Sequence, residues 1–316
     1  MKIVFLDGYT VNPGDISWDE LSDLGDLCVY DRTMSEEVLE RARGAEVLIV
    51  NKTGLQREHF EQLPTLKLVC VAAAGYDRID VQAAKEHGVL VCNAAGYGSE
   101  SVAQMFFALL LELTNRVGYY ARVNRSGFWS KSPDFCCWDH PLVELYGKCL
   151  AIVGFGRIGE VVARIAHVVG MQVMAVTHRS DLPEFVQPIT VEEAFAICDV
   201  VSLNAPLTAD NYHLVNKDLL KLAKHGLLLI NTARGALVDE MAVADALQKG
   251  TLGGYAADVM EQEPPREDHP FWKLDNVLIT PHIAWVTTEA RMRLMKIMAE
   301  NIKAFMSGHP QNVVNQ

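Results

Sequence analysis

Short runs of unbroken aliphatic residues alternate along this chain with segments whose apolar positions recur every three or four residues. KIVFL, LCVYD, EVLIVN, LKLVCVAAAG and VLVCN read as strands. SWDELSDLG, SEEVLERARG and DVQAAKEHG, lying between them, read as helices, the last two ending at a glycine stop. Strands that are apolar throughout predict a parallel sheet covered on both faces. A second series opens at CLAIVGFGRIG and continues through MQVMAVT, DVVSLN, GLLLIN, LGGYAADV and NVLIT. The expectation is an α/β chain of two parallel-sheet lobes.

Between the two series, SESVAQMFFALLLELTNRVGYYARVNRSG keeps helical spacing throughout and predicts one long helix, either a link between lobes or a subunit interface. The loop after it, FWSKSPDFCCWDHPLVELYG, is rich in aromatic residues, which suits an interface. TTEARMRLMKIMAENIKAFMSG reads as a closing amphipathic helix. It follows the last strand of the second series and is expected to pack back on the first lobe. The domains are therefore drawn as residues 1–98 with 286–316, and residues 99–285.

Composition narrows the function classes. The 316 residues suit two domains, and a chain that is 50% hydrophobic packs rather than stays disordered. A net charge of -12 argues against nucleic acid or an anionic membrane as partner. MKIVFLDGYT is a strand, not a signal peptide, and FFALLLEL is too short to span a bilayer. The seven cysteines lack CxxC spacing and are read as reduced thiols in a cytoplasmic protein. No HxxxH pairing suggests a metal, and His213, His225 and His309 lie in polar, surface-like segments.

The strand LAIV runs into Gly154-Phe-Gly156-Arg157-Ile158-Gly159 and then a helix. That strand–GxGxxG–helix context predicts a cradle for a dinucleotide pyrophosphate at a helix N-terminus. An acid able to bind the ribose 2′-hydroxyl of NAD belongs at the end of the next strand. Thr177, His178 and Arg179 stand there instead, with no carboxylate before Asp181. An arginine here tilts the expectation from NAD(H) toward NADP(H), since it can pair with a 2′-phosphate. NAD binding without the acid, with Arg179 covering the adenine, stays open.

Three charged residues follow strands of the second series. Arg234 comes after LLLINTA, Glu263 lies in DVMEQEP, and His282 lies in LITPHIAW. In an open parallel sheet the C-terminal strand ends line the ligand crevice. An arginine fork suits a small carboxylate, histidine exchanges protons near neutral pH, and a neighbouring acid stabilises the imidazolium and sets its tautomer. Each also has a plainer reading: Arg234 paired with Asp239, Glu263 as a loop charge, His282 as a helix cap.

With these residues in hand, the chain resembles the D-isomer-specific 2-hydroxy-acid dehydrogenases over essentially its whole length. VAAAGYDRID, GKCLAIVGFGRIG, SLNAPLT, LINTARGALVDE, DVMEQEP and TPHIAW carry the likeness. Within the family the glycerate dehydrogenase or hydroxypyruvate (glyoxylate) reductase group is the nearest match. The resemblance implies a flavodoxin-like substrate-binding domain, a Rossmann dinucleotide-binding domain and an active site in the cleft between them. It implies substrate binding by Arg234, orientation by Glu263 and acid/base work by His282. Ala74, Gly75 and Tyr76 match a loop whose amides hold the substrate carboxylate. Ala205, Pro206, Thr232, Ala233 and Asp258 match the cofactor side, together with His282. Lys52 adds positive charge or is a surface lysine; Trp138 reaches a partner's cleft or only packs an interface. The implied partners are a small 2-oxo acid and a second copy of the chain, joined through the dinucleotide-binding domain. A dinucleotide-sensing corepressor and a formate or phosphite dehydrogenase are the competing readings.

Overall fold

The computed structural model describes residues 1–316 and divides into two compact units, Met1–Gly98 with Trp285–Gln316, and Ser99–Ala284. In the first unit five strands run parallel: β1 (Lys2–Phe5), β2 (Asp26–Val29), β3 (Val47–Val50), β4 (Leu68–Val71) and β5 (Leu90–Cys92). Their order, β2-β1-β3-β4-β5, is the flavodoxin-like one. Successive side chains point to opposite faces. Ile3, Phe5, Val47, Ile49 and Cys70 therefore enter one core while Val4, Leu48, Val50 and Val69 enter the other.

The helix Thr288–Met306 completes the first of these cores through Leu294, Met295, Met298 and Ile302. Its N-cap is Thr287, whose hydroxyl accepts from the Ala290 N–H. Arg291 is buried on this helix and forms a two-pronged ion pair with Asp15 at 2.6 and 2.7 Å. The division falls after Ala284 rather than after Trp285. Trp285 is buried in the first unit's core, edge-on to Tyr97 at 6.2 Å.

The second unit holds seven parallel strands: β6 (Cys149–Val153), β7 (Gln172–Val176), β8 (Val186–Pro188), β9 (Val200–Leu203), β10 (Leu227–Asn231), β11 (Leu252–Ala257) and β12 (Val277–Ile279). Their order is β12-β11-β10-β9-β6-β7-β8. Chain order reverses between β6 and β9, the switch point of a doubly wound Rossmann sheet. The edge strand β8 escaped the sequence pattern: of its three residues only Val186 is buried, and Pro188 reads as a breaker.

The single long helix expected after residue 98 is two helices, Ser99–Asn115 and Val117–Arg125. Arg116 between them is left-handed, with φ 51°. The Glu112 carboxylate accepts from the Gly118 N–H at 3.0 Å, so an acid of the first helix caps the start of the second. Apolar periodicity continues across the break and cannot reveal it. The first helix is no free link: Phe106, Phe107, Leu109 and Leu110 are buried in the core of the second unit. No helix is long and apolar enough to cross a membrane.

Candidate active site

The glycine motif opens the helix Arg157–Val168 directly after β6. Gly154 has φ +90°, and a Cβ there would lie 2.5 Å from the Ala205 nitrogen. The ends of β6 and β9 thus touch at the switch point, which only glycine permits. Gly159 packs under the turn: its Cβ would stand 2.8 Å from the Gly154 carbonyl oxygen. Gly156 differs, since nothing lies within 4 Å of where its Cβ would be. Open space in front of a helix N-terminus, whose first amides have no carbonyl partner inside the helix, suits a pyrophosphate. Two further groups await a partner beside this cradle. Asn204 Oδ1, just past β9, and Thr232 Oγ1, just past β10, are buried without a hydrogen-bond partner in the protein. Orphaned buried polar atoms are rare, and a polar ligand in the cradle would satisfy these. The cradle and the orphans fit a nicotinamide dinucleotide.

Past β7, Thr177 is half-buried and His178 and Arg179 are exposed. The Arg179 guanidinium grips the Asp181 carboxylate through two hydrogen bonds of 2.8 and 2.9 Å. It also pairs with Glu160 of the helix Arg157–Val168 and donates to the Phe155 carbonyl at 3.2 Å. The hydrogen bonds it donates to Asp181 and then to Glu160 raise the arginine's pKa, and Arg179 in turn lowers that of Asp181. The cation expected to wait for a 2′-phosphate already has two carboxylates.

Arg234, Glu263 and His282 follow β10, β11 and β12, three neighbouring strands of one sheet. Their approach is enforced by backbone. A Cβ on Gly235 would fall 1.9 Å from the Met260 carbonyl carbon and 2.2 Å from the Glu261 nitrogen. The arginine turn therefore seats directly on the loop that carries Glu263. Asn231, fully buried at the end of β10, shapes that turn. Its Oδ1 accepts from the Ala233 N–H at 3.0 Å and its Nδ2 donates to the Arg234 carbonyl at 2.8 Å. Arg234 also donates through Nη1 to the Ala233 carbonyl at 2.8 Å. Asp239 serves as N-cap of the helix Glu240–Gln248, accepting from Met241 and Ala242.

Glu263 is no stray loop charge. Its Oε2 lies 2.7 Å from His282 Nδ1, and its Oε1 accepts from the Met260 N–H at 3.1 Å. An ionised carboxylate can only accept, so Nδ1 carries the proton and Nε2 is the nitrogen left to exchange one. His282 is left-handed at φ 56°. That conformation is held by Asp258, whose side-chain oxygens accept from the amides of Ile283 at 2.8 Å and Ala284 at 2.7 Å and from the Thr280 hydroxyl at 2.6 Å. Asp258 is 1% exposed. Both of its oxygens are engaged in fixing the histidine loop, a use no spacing in the sequence signals.

The remaining expected residues are placed as follows. Ala205 is half-buried against the Gly154 turn and Pro206 is exposed. In the first unit, Ala74, Gly75 and Tyr76 form the loop after β4, tied by Asn93 Nδ2 to the Ala74 carbonyl at 2.7 Å. Lys52 is exposed, and the buried Asp7 carboxylate accepts from the amides of Asn51, Lys52 and Thr53 at 2.6–2.8 Å. Trp138 stands 66% exposed in the second unit's aromatic loop. Asn231, Asn204 and Asp7 were not singled out from the sequence. An asparagine or aspartate ending an aliphatic strand, where it can shape the next turn, is the signal that would have found them.

An open dinucleotide cradle with an arginine and a carboxylate–histidine pair at neighbouring strand ends defines a dehydrogenase class, and comparison agrees. Residues 107–284 match the D-isomer specific 2-hydroxyacid dehydrogenase, NAD binding domain. A hydroxypyruvate reductase of Blautia hydrogenotrophica is 41% identical over 322 residues, covering 100% of both proteins. Among solved structures, an acyclic imino acid reductase in complex with NADPH and D-Arg superposes with TM-score 0.88 at 30% identity, covering 99% of this chain and 100% of that one. D-Lactate dehydrogenase from Aquifex aeolicus, complexed with NAD and lactic acid, gives TM-score 0.85 at 31% identity and 99% of each chain. This chain belongs to the D-isomer specific 2-hydroxyacid dehydrogenase family. It is a nicotinamide-dinucleotide-dependent oxidoreductase acting on a CH–OH group.

The seat of Gly235 is open to a direct test. Gly235→Ala forces the Met260–Glu261 backbone to move and should destabilise the protein by about 3 kcal/mol or more. Thermal denaturation measures it, and an unchanged midpoint contradicts the close approach.

Proposed function

We propose that the protein reduces a small 2-oxo acid, hydroxypyruvate or glyoxylate, to the D-2-hydroxy acid. The observation that carries this reading is the 2.7 Å contact between Glu263 Oε2 and His282 Nδ1 at the strand end beside Arg234. The reduced nicotinamide, when bound, supplies a hydride to the carbonyl carbon. Arg234 binds the substrate carboxylate and polarises the adjoining carbonyl. His282 delivers the Nε2 proton to the carbonyl oxygen, and Glu263 stabilises the imidazolium and keeps that nitrogen forward. Gly154, Gly156, Arg157, Ile158 and Gly159 would hold the pyrophosphate, while Ala205, Pro206, Thr232, Ala233 and Asp258 would lie near the ribose and nicotinamide. The full-length likeness to a hydroxypyruvate reductase supports the choice of substrate.

The two similar structures hold different coenzymes, so the fold by itself does not choose between them. The surroundings of Arg179 favour NAD(H). A 2′-phosphate carries about two negative charges near neutral pH and would meet Glu160 and Asp181 as well as the arginine. One cation set between two acids attracts it poorly; a 2′-hydroxyl carries no such cost and can donate to either carboxylate. The ion pairs thus weigh against the tilt toward NADP(H) that the bare sequence suggests.

Self-association through the second unit is part of the same proposal. The helix Val117–Arg125 buries none of its residues, and Trp129, Phe135, Trp138 and Tyr146 are all exposed beyond it. An aromatic arm of this kind fits against a second copy of the chain.

Cofactor-oxidation assays with hydroxypyruvate, glyoxylate, pyruvate and phenylpyruvate test the reaction; no turnover of any of them with NADH or NADPH rejects it. Arg234→Ala should lower kcat/KM about 10²–10³-fold, whereas Arg179→Ala with NADH should change it less than about tenfold; equal losses contradict the roles. The double variant Glu160→Gln/Asp181→Asn should raise the NADPH-to-NADH ratio of kcat/KM by about tenfold or more, and an unchanged ratio removes the coenzyme argument. Sedimentation should give a dimer that Phe135→Glu with Trp138→Glu converts to monomer; a monomeric parent protein ends that part of the reading.

A further inference from the structure

Glu240 opens the helix Glu240–Gln248, a position where a carboxylate ordinarily faces water. Here its side chain is only 10% exposed. One oxygen, Oε1, accepts from the Glu261 N–H at 2.9 Å, and the other lies 3.0 Å from His269 Nε2. The His269 Nδ1 accepts from the Phe271 N–H at 3.3 Å, so Nε2 carries the hydrogen and donates to the carboxylate. The imidazole is held in that plane by rings: Phe271 at 4.7 Å and Trp272 at 5.9 Å. Phe271 in turn packs on the fully buried Tyr255 at 5.2 Å. Burial, and after it the charge of Glu240, pushes the Tyr255 phenol up.

A buried acid with a histidine is a poor way to gain stability, since apolar side chains of the same volume do as well or better. What the pair supplies, and an apolar pair cannot, is a fixed acceptor for one chosen amide. That amide belongs to Glu261. The amide before it, on Met260, donates to Glu263. Adjacent N–H groups of one turn are therefore held by two carboxylates, one buried and one facing His282. The Arg234 turn seats on the same Met260–Glu261 backbone but takes its own hydrogen bonds from Asn231.

We propose that Glu240 and His269 are positioning residues: they lock the Met260–Glu261 turn so that Glu263 meets His282 Nδ1, and they act on proton delivery rather than on substrate binding. This inference rests on the reductase reading of Glu263 and His282. Hydrogen bonds of this outer kind cost about 10–100-fold in activity when removed, so Glu240→Ala should lower kcat by that factor and move KM for the 2-oxo acid less than about threefold. His269→Phe removes the donor and should match it. His269→Gln restores an N–H where Nε2 stood and should return kcat to within about threefold of the parent protein. Amide hydrogen exchange of the segment 258–263, followed by mass spectrometry, should be faster in Glu240→Ala and His269→Phe but not in His269→Gln. A loss confined to KM, an unchanged kcat, or exchange equal to the parent in all three variants overturns the proposal. If Glu240→Ala does not fold, the two His269 variants decide by the same criteria. If the parent protein reduces no 2-oxo acid, the reductase reading falls, and the exchange rates still decide whether the pair holds the loop.

Discussion

Everything about this site depends on how closely two pieces of main chain can approach. The turn after β10 and the loop after β11 meet at Gly235, where the Met260 and Glu261 backbone occupies the volume a side chain would need. Parallel strands stand about 4.8 Å apart, so their following loops are neighbours by construction. Neighbouring loops do not by themselves seat the turn of an arginine on the loop of a glutamate. The missing Cβ removes the last barrier, and Asn231 then gives the arginine turn its shape.

The loops at these strand ends share a second device. Strand ends leave backbone N–H groups without ladder partners, and a buried one must find an acceptor. Here buried carboxylates provide it. Asp7 gathers three consecutive amides in the first unit; Asp258 gathers two after His282; Glu240 takes one in the loop of Glu263. Each carboxylate fixes a loop through the donors it collects, without covering it. The net charge of -12 is thus not wholly a surface property: several of its acids are interior fasteners.

The coenzyme side follows from sheet topology. At the reversal between β6 and β9 two helical connections leave in opposite directions and open a crevice. Gly154 lets the two strand ends touch, and Gly156 leaves the space before the helix clear. The unpartnered oxygens of Asn204 and Thr232 border the same strand ends. At the ribose end, Arg179 read alone invites a phosphate, and Glu160, nineteen residues earlier in the chain, sets a carboxylate against it.

Sequence periodicity was enough to separate two parallel-sheet units, because strands buried on both faces must be apolar throughout. Residue chemistry marked the glycine turn and Arg234, Glu263 and His282 as candidates, because a GxGxxG turn between strand and helix, and charges at the mouths of aliphatic strands, have few structural uses. The short edge strand β8 lacked enough buried residues to register. The break at Arg116 was hidden because apolar spacing runs through it, and the acid that caps the next helix, Glu112, looks like any surface acid. The boundary at Trp285, the pairing of Arg179 with Glu160, the turn of Asp258 toward the histidine loop and the burial of Glu240 with His269 all join residues distant in the chain. A sequence lists such groups without their partners; only the folded chain, by bringing specific donors to specific acceptors, decides which charge is a ligand site, which is neutralised and which is a fastener.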